Sequence, residues 1–299
     1  TFELSGALSC PEVVRRCIDA KNPLKLKRFK PAELPRSNNY PIQRELSQLD
    51  DDFYSQHFSM VRDAIMAMMA NDEYDFETRL YLITNLANKV SDFYHRGCDK
   101  SAGGQLDVVL SAYAERGFIS KLDMFIKDYD AGSPISLLVT HSVLSIKLQQ
   151  ASTENISLLY NDLIQFYCHS NENIPEMLTV KVNNIIKELD FNQQQYIEQS
   201  LTRYILNCLY REWFVTMPDP FTYMQMLLVR ISILRTLIYL DVGRDSGLNT
   251  KELKKKIVYV MYNFARNIDQ NLEFLKVVYN ALSEQNMMNF DFSPAFIRI

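Results

Sequence analysis

The chain has 299 residues, 47% of them hydrophobic, with 17 Phe and 17 Tyr, so it can bury a sizeable core in one large domain or two smaller ones. Lys and Arg number 32 against 36 Asp and Glu, a net charge of −4, which leaves no global positive field to recruit nucleic acid. The 5 cysteines (Cys10, Cys17, Cys98, Cys168 and Cys208) include no CxxC pair, and this odd number points to reduced thiols in a cytosol and away from a disulfide framework.

No signal peptide opens the sequence, whose first residue is Thr. The stretch TFELSGALSCPE reads as the middle of a chain, so an upstream segment is expected. Ser9-Cys10-Pro11-Glu12 is a capping box that starts a short helix running to about Ala20. Residues 21–41 then carry Pro23, Pro31, Pro35 and Pro41, with Lys21, Lys25, Lys27, Arg28, Lys30 and Arg36 against a single Glu33. This is an extended basic connector, either a solvated linker or a contact for an acidic partner or an anionic membrane surface. Residues 1–41 are therefore read apart from an all-helical domain over 42–299.

From Ile42 the pattern is helical. Phe53, Phe58, Val61, Ile65, Met68 and Met69 keep three-four spacing up to a break at Asn71-Asp72. A second helix covers about Asp75 to Arg96, closed by Gly97. The loop around Ser101-Ala102-Gly103-Gly104 precedes a helix through Leu106, Leu110 and Tyr113, stopped at Gly117, and Phe118 to Tyr129 forms another. Residues 131–134 look like a boundary that could subdivide the domain. Ile135 to Leu148 is rich in β-branched residues, yet Leu137, Leu138, Leu144 and Leu148 favour a helix. Further helices run from Ser152-Thr153-Glu154 to about His169, from Ile174-Pro175 to Leu189, and from Asn192 to Phe214.

FTYMQMLLVRISILRTLIYL, residues 221–240, is the most apolar run in the chain. Twenty helical residues reach about 30 Å, enough for a bilayer. Arg230 and Arg235 argue against that, since each would cost about 2.5–3.5 kcal/mol near a bilayer centre. Thr222, Gln225, Ser232 and Thr236 make one thin polar seam, the mark of a central helix in a soluble bundle. The two arginines need partners, for which Glu212, Asp219 and Asp241 are nearest in sequence; alternatively one guanidinium holds a ligand carboxylate. Asp245 to Asn249 is a loop, Thr250 with Glu252 starts the next helix, and Asp269 to Ser283 continues it. The tail from Met287 lacks periodicity. No alternating strand and no 30–50-residue repeat occurs, so the fold class is all-α, a bundle of about ten helices without significant sheet.

Catalytic patterns are scarce. There is no GxxxxGK[ST], GxGxxG, GxSxG or HExxH. His95 and Cys98 sit three apart but are only two ligands, short of a tetrahedral site, and Cys168-His169 share no helical face. Met66, Met68 and Met69 read as core filler more than as a partner groove.

Local strings go further than spacing. SCPEVVRRCI (9–18), TRYILNCLYREWF (202–214), LLVRISILRTLIYLDVG (227–243) and NFARNIDQNLEFL (263–275) resemble elements of the flagellin lysine-N-methylase (FliB) family, which often carries histidine where this chain has Gln270. The resemblance covers most of the chain and is strongest over about the last hundred residues. It implies a protein lysine N-methyltransferase that acts in the cytosol on flagellin, with S-adenosylmethionine as methyl donor. It also implies an iron–sulfur cluster held by a cysteine-rich segment upstream of these residues, so this stretch alone is expected to bind no iron and transfer no methyl group. Cys10 is the one cluster ligand or neighbour that carries over, and thiolate ligation would need the upstream cysteines. Arg230, Arg235 and Arg266 are the candidates for holding the donor's carboxylate or supporting the cluster segment. A lysine amine titrates near 10.4, so tyrosines or carboxylates in a cleft must help remove its proton. The competing reading is a non-enzymatic helical interaction module that holds an export substrate. No transmembrane span is expected; oligomerisation and peripheral membrane contact are left open.

Overall fold

A computed structural model of the protein describes residues 11–19, 53–95, 102–129, 135–150, 155–168, 173–211 and 219–298. Among them are thirteen α-helices, somewhat more than the ten expected, and no strand. In chain order they are α1 (Pro11–Asp19), α2 (Phe53–Ala70), α3 (Phe76–His95), α4 (Ala102–Ala112), α5 (Arg116–Asp128), α6 (Ile135–Gln150), α7 (Asn155–Tyr167), α8 (Ile174–Glu188), α9 (Phe191–Arg211), α10 (Pro220–Val242), α11 (Thr250–Phe264), α12 (Leu272–Glu284) and α13 (Ser293–Ile297). A π turn, Ala265–Asp269, follows α11, and a 3₁₀ turn, Phe290–Phe292, precedes α13. The box at Ser9, Cys10, the basic connector, Gly97, Cys98, the boundary at 131–134, the start at 152–154, His169 and Glu212 lie outside the described residues.

Helix α10 is the axis of the bundle. Of its residues only Thr222 is not buried, as expected of a helix apolar on nearly every side. It is packed by α3, α6, α7, α8, α9, α11 and α13. Asp219 starts it, accepting from Thr222 N at 2.8 Å and from Ser91 Oγ at 2.9 Å, so the cap also ties α10 to α3. The polar seam is used. Ser232 bonds Ser136 of α6 at 2.5 Å, and Gln225 donates to Met287 O at 3.0 Å while accepting from Ser293 Oγ at 2.8 Å. No helix among the described residues is long and apolar enough to cross a membrane.

Around this axis the remaining helices bury one face each. Helix α1 buries Val14, Cys17 and Ile18 against α9 and α11, and Lys254 Nζ closes on Asp19 at 2.5 Å. Helix α2 packs on α3 and α9, burying Met69 fully, with Met66 and Met68 packed at the edge of the core. Helix α5 lies on α3, and α8 fills the space beside α6 and α10.

Several boundaries depart from the sequence expectation. Ala102, Gly103 and Gly104 belong to the first turn of α4, and Gly117 is the second residue of α5, not a stop. Early-turn positions make few backbone bonds, so glycine's weakness as a helix former costs little there. Helix α11 starts at Thr250 as expected, capped by Asn249 with a complete capping box to Glu252. The aperiodic tail is structured: all five residues of α13 are buried.

Candidate functional site

Helix α11 does not run straight into α12. At Ala265 its backbone widens, Gln270 N bonds Ala265 O at 3.1 Å in an i→i+5 pattern, and Asn271 caps the new helix through Phe274 N at 3.0 Å. A single π turn of this kind is uncommon and occurs often at functional sites. It swings Asp269 inward, against the axis of the bundle. There Asp269 meets Arg230 of α10 (3.5 Å, side chains 3% and 0% exposed) and accepts a hydrogen bond from the Tyr204 hydroxyl of α9. The strings that carry the resemblance to the FliB family lie far apart in sequence. Three of them, at 202–214, 227–243 and 263–275, each contribute one member of this buried triad.

Burial raises the Tyr204 phenol well above its usual range, and the adjacent Asp269 charge adds to that; Arg230 works against it. Tyr204 is therefore a hydrogen-bond donor near neutral pH and not a resident base. The triad holds together a carboxylate and a guanidinium that neither could keep buried alone.

The outer face of the π turn reaches solvent. Arg266 and Gln270 are exposed there, and Arg266 donates to the Tyr262 hydroxyl at 2.9 Å, one turn back. On a further flank stand Asn263 and Asn267. Asn263 is fully buried and its amide nitrogen donates to Tyr259 O at 2.9 Å. The side-chain oxygens of both asparagines are buried and accept no hydrogen bond among the described residues.

Arg235, five residues along α10 from Arg230, belongs to a different cluster. It donates to Ile297 O at 2.8 Å and to Glu77 of α3 at 2.9 Å, with the rings of Phe76 and Tyr239 each 5.7 Å from its guanidinium carbon. Arg298 takes the other Glu77 oxygen at 2.6 Å. Glu198 on α9 stands near this cluster; burial raises its pKa, and the charges of Arg235 and Arg79 partly offset that. The three arginines singled out from the sequence thus occupy three places: a buried triad, a buried clasp and an exposed turn.

Of the arginine partners suggested by sequence proximity, Asp219 and Asp241 serve elsewhere, and Glu212 lies outside the described residues. Arg230 pairs with Asp269 and Arg235 with Glu77, 39 and 158 residues away. Asp219 is spent on the α10 cap, and Asp241 faces Lys256 at 3.4 Å and Arg244 at 4.0 Å. Only helical neighbours can be matched by short spacing; pairs between helices depend on packing.

A dyad that spacing did not single out joins α6 to α7. His141 Nδ1 lies 2.6 Å from the hydroxyl of the fully buried Tyr160, and burial lowers the imidazole pKa. A histidine on a mixed surface carried no signal in the sequence, because its partner is 19 residues away.

For metal, the described residues offer little. Cys17, Cys168 and Cys208 form no disulfide among the described residues, and Cys17 and Cys208 are buried. Among the described residues no three His, Cys, Asp or Glu side chains gather as a metal site. An iron–sulfur cluster needs four converging ligands, usually thiolates, and these cysteines do not fit it. The side chain of His95 at the end of α3, like Cys10 and Cys98, is outside the described set.

No curated protein and no solved structure matches the chain. A family does: the model of the FliB lysine N-methylase C-terminal domain matches residues 62–293, which takes in all three members of the buried triad. With most of its length covered by that match, the chain belongs to the FliB lysine N-methylase family.

Proposed function

We propose that these helices are the C-terminal body of an S-adenosylmethionine-dependent methyltransferase that modifies lysines of flagellin in the cytosol. The observation that carries this reading is the family match over residues 62–293. The meeting of Tyr204, Arg230 and Asp269 beneath a solvent-facing π turn is the arrangement that supports looking for the site there.

The bound donor would supply a methyl group on a sulfonium. Of the three candidate arginines, Arg266 suits its carboxylate best: it is exposed, and it gives one N–H to Tyr262 with others left for a ligand. Arg230 and Arg235 already serve Asp269, Glu77 and Ile297 O, and they hold the wall behind the turn. The iron–sulfur cluster in this reading belongs to residues other than those described, and no step here is derived through it.

The test is transfer of a labelled methyl group from S-adenosylmethionine to flagellin by the full-length protein. Transfer is expected, and it is expected to vanish when residues 200–299 are removed. Arg266→Ala is expected to raise the KM for the donor about tenfold, since a charge-assisted bond contributes about 1.5–3 kcal/mol. Methylation that survives the deletion would overturn the proposal. A full-length protein that binds flagellin but transfers nothing would favour a helical carrier of an export substrate.

A further inference from the structure

Tyr259, Asn263 and Asn267 follow one another at i, i+4 and i+8 along α11 and into the π turn. Side chains at this spacing stand in a row on one flank, with neighbouring Cβ atoms about 5–6 Å apart. Tyr259 is 48% exposed, Asn263 is fully buried and Asn267 is partly buried. The Asn263 amide is oriented by its bond to Tyr259 O, and its oxygen accepts no hydrogen bond among the described residues. Asn267 presents a second such oxygen one turn on. Buried polar groups are nearly always satisfied, so two adjacent acceptors in want of a hydrogen call for an explanation. Among the described residues both lack the same thing, which is an N–H or O–H.

We propose that this row is the subsite for the ε-amino group of the substrate lysine, with Asn263 and Asn267 accepting its N–H groups and the Tyr259 ring flanking its charge. The inference rests on the methyltransferase reading above and adds the residues that hold the acceptor amine. A lysine is suited to such a site because a thin apolar stem carries its charged head. The Tyr259 face attracts an ammonium whether or not it carries methyl groups, so the flank can hold substrate and product alike.

The choice of acceptor type is what gives the row a function. Methyl transfer requires a neutral amine, and a lysine in water is protonated up to about pH 10.4. A carboxylate at this position would hold the ammonium charged. Neutral amide oxygens orient the nitrogen without that penalty, and burial itself favours loss of the proton to bulk water. The nearby carboxylate, Asp269, stands two residues on and on roughly the opposite flank, where Arg230 and Tyr204 occupy it.

The experiment uses the full-length protein with flagellin and S-adenosylmethionine. Asn267→Asp keeps the shape and adds a charge, which should raise the bound ammonium's pKa by about 1–3 units. The acid limb of the kcat–pH profile is then expected to move up by at least one unit, with the donor KM unchanged. Asn263→Ala and Asn267→Ser are expected to weaken flagellin binding to donor-free protein about tenfold by calorimetry. Asn267 is partly exposed, so its variants serve if those at Asn263 do not fold. An unmoved acid limb with unchanged flagellin affinity overturns the proposal. So does a change confined to the donor KM, which would give the row to the donor's amino group. A flagellin-bound structure with only ordered water on both oxygens also overturns it. Wild-type protein that transfers no methyl group would fail the methyltransferase reading itself, and variants that behave as an active wild type would fail this inference alone.

Discussion

Asp269 is buried, and among the described residues Arg230 and Tyr204 are partners of its charge. Removing the phenol in Tyr204→Phe leaves part of a buried carboxylate unsolvated and is expected to cost about 1–3 kcal/mol. Arg230→Ala removes a buried counter-charge and is expected to cost about 3–5 kcal/mol. Urea titrations that rank the two variants in the reverse order would contradict the geometry. The His141 dyad gives a pH test. Tyr160 is wholly buried, and His141 is its partner among the described residues, so its O–H donates to Nδ1. Burial holds the folded imidazole below its ordinary pKa of about 6.5. As pH falls, the unfolded chain therefore takes up the proton first. The contribution is present above about pH 6.5 and is lost as pH falls toward the depressed folded value. The wild type should lose more stability between pH 7 and pH 5 than His141→Gln; equal losses would mean that the dyad does not titrate as described. Neither feature was legible from residue type. Arg230 and Arg235 announced that they needed counter-charges, but Asp269 and Glu77 are brought to them only by helix packing.

At the scale of elements, period and caps carried most of the information. The central helix, its polar seam and its neighbours from α6 to α9 follow from apolar spacing and from punctuation such as Pro175. The π turn did not, because one extra residue in a helical run leaves the apolar pattern nearly intact. The tail did not either: α13 has five residues, too few to show a period. Yet this segment is stapled to α10 and α3 through Gln225, Arg235 and Glu77. Glu77→Gln weakens two arginines at once, and a loss of about 3–5 kcal/mol in denaturant midpoint experiments is expected. Gly243 marks another tight junction. Its backbone is helical, but an added Cβ would lie 2.4 Å from Ile185 Cδ1 and 3.0 Å from the Tyr167 hydroxyl, which itself donates to Leu240 O at 2.8 Å. Gly243→Ala is expected to destabilise by about 1–3 kcal/mol, with partial rescue by Ile185→Ala, as measured by thermal melting. A neutral outcome would show that α8 yields easily.

For the whole molecule, composition already pointed to a helical bundle, and the family match extends that to a lysine N-methylase lineage. The candidate site was legible only as three strings whose meeting point could not be read from order along the chain. Residues 1–299 by themselves are expected to transfer no methyl group to flagellin and to bind no iron; an iron signal in that purified stretch would contradict the proposed division of labour. The clasp between α10 and residues 287–298 also constrains biosynthesis. Gln225 and Arg235 leave the ribosome about sixty residues before the groups that satisfy them, a delay of several seconds at roughly 5–20 residues per second. Through that interval the growing chain carries its most apolar helix with an unfinished polar seam. Nascent chains halted before residue 287 should therefore be the form that chaperones retain and proteases cut, while emergence of residues 287–298 completes the seam.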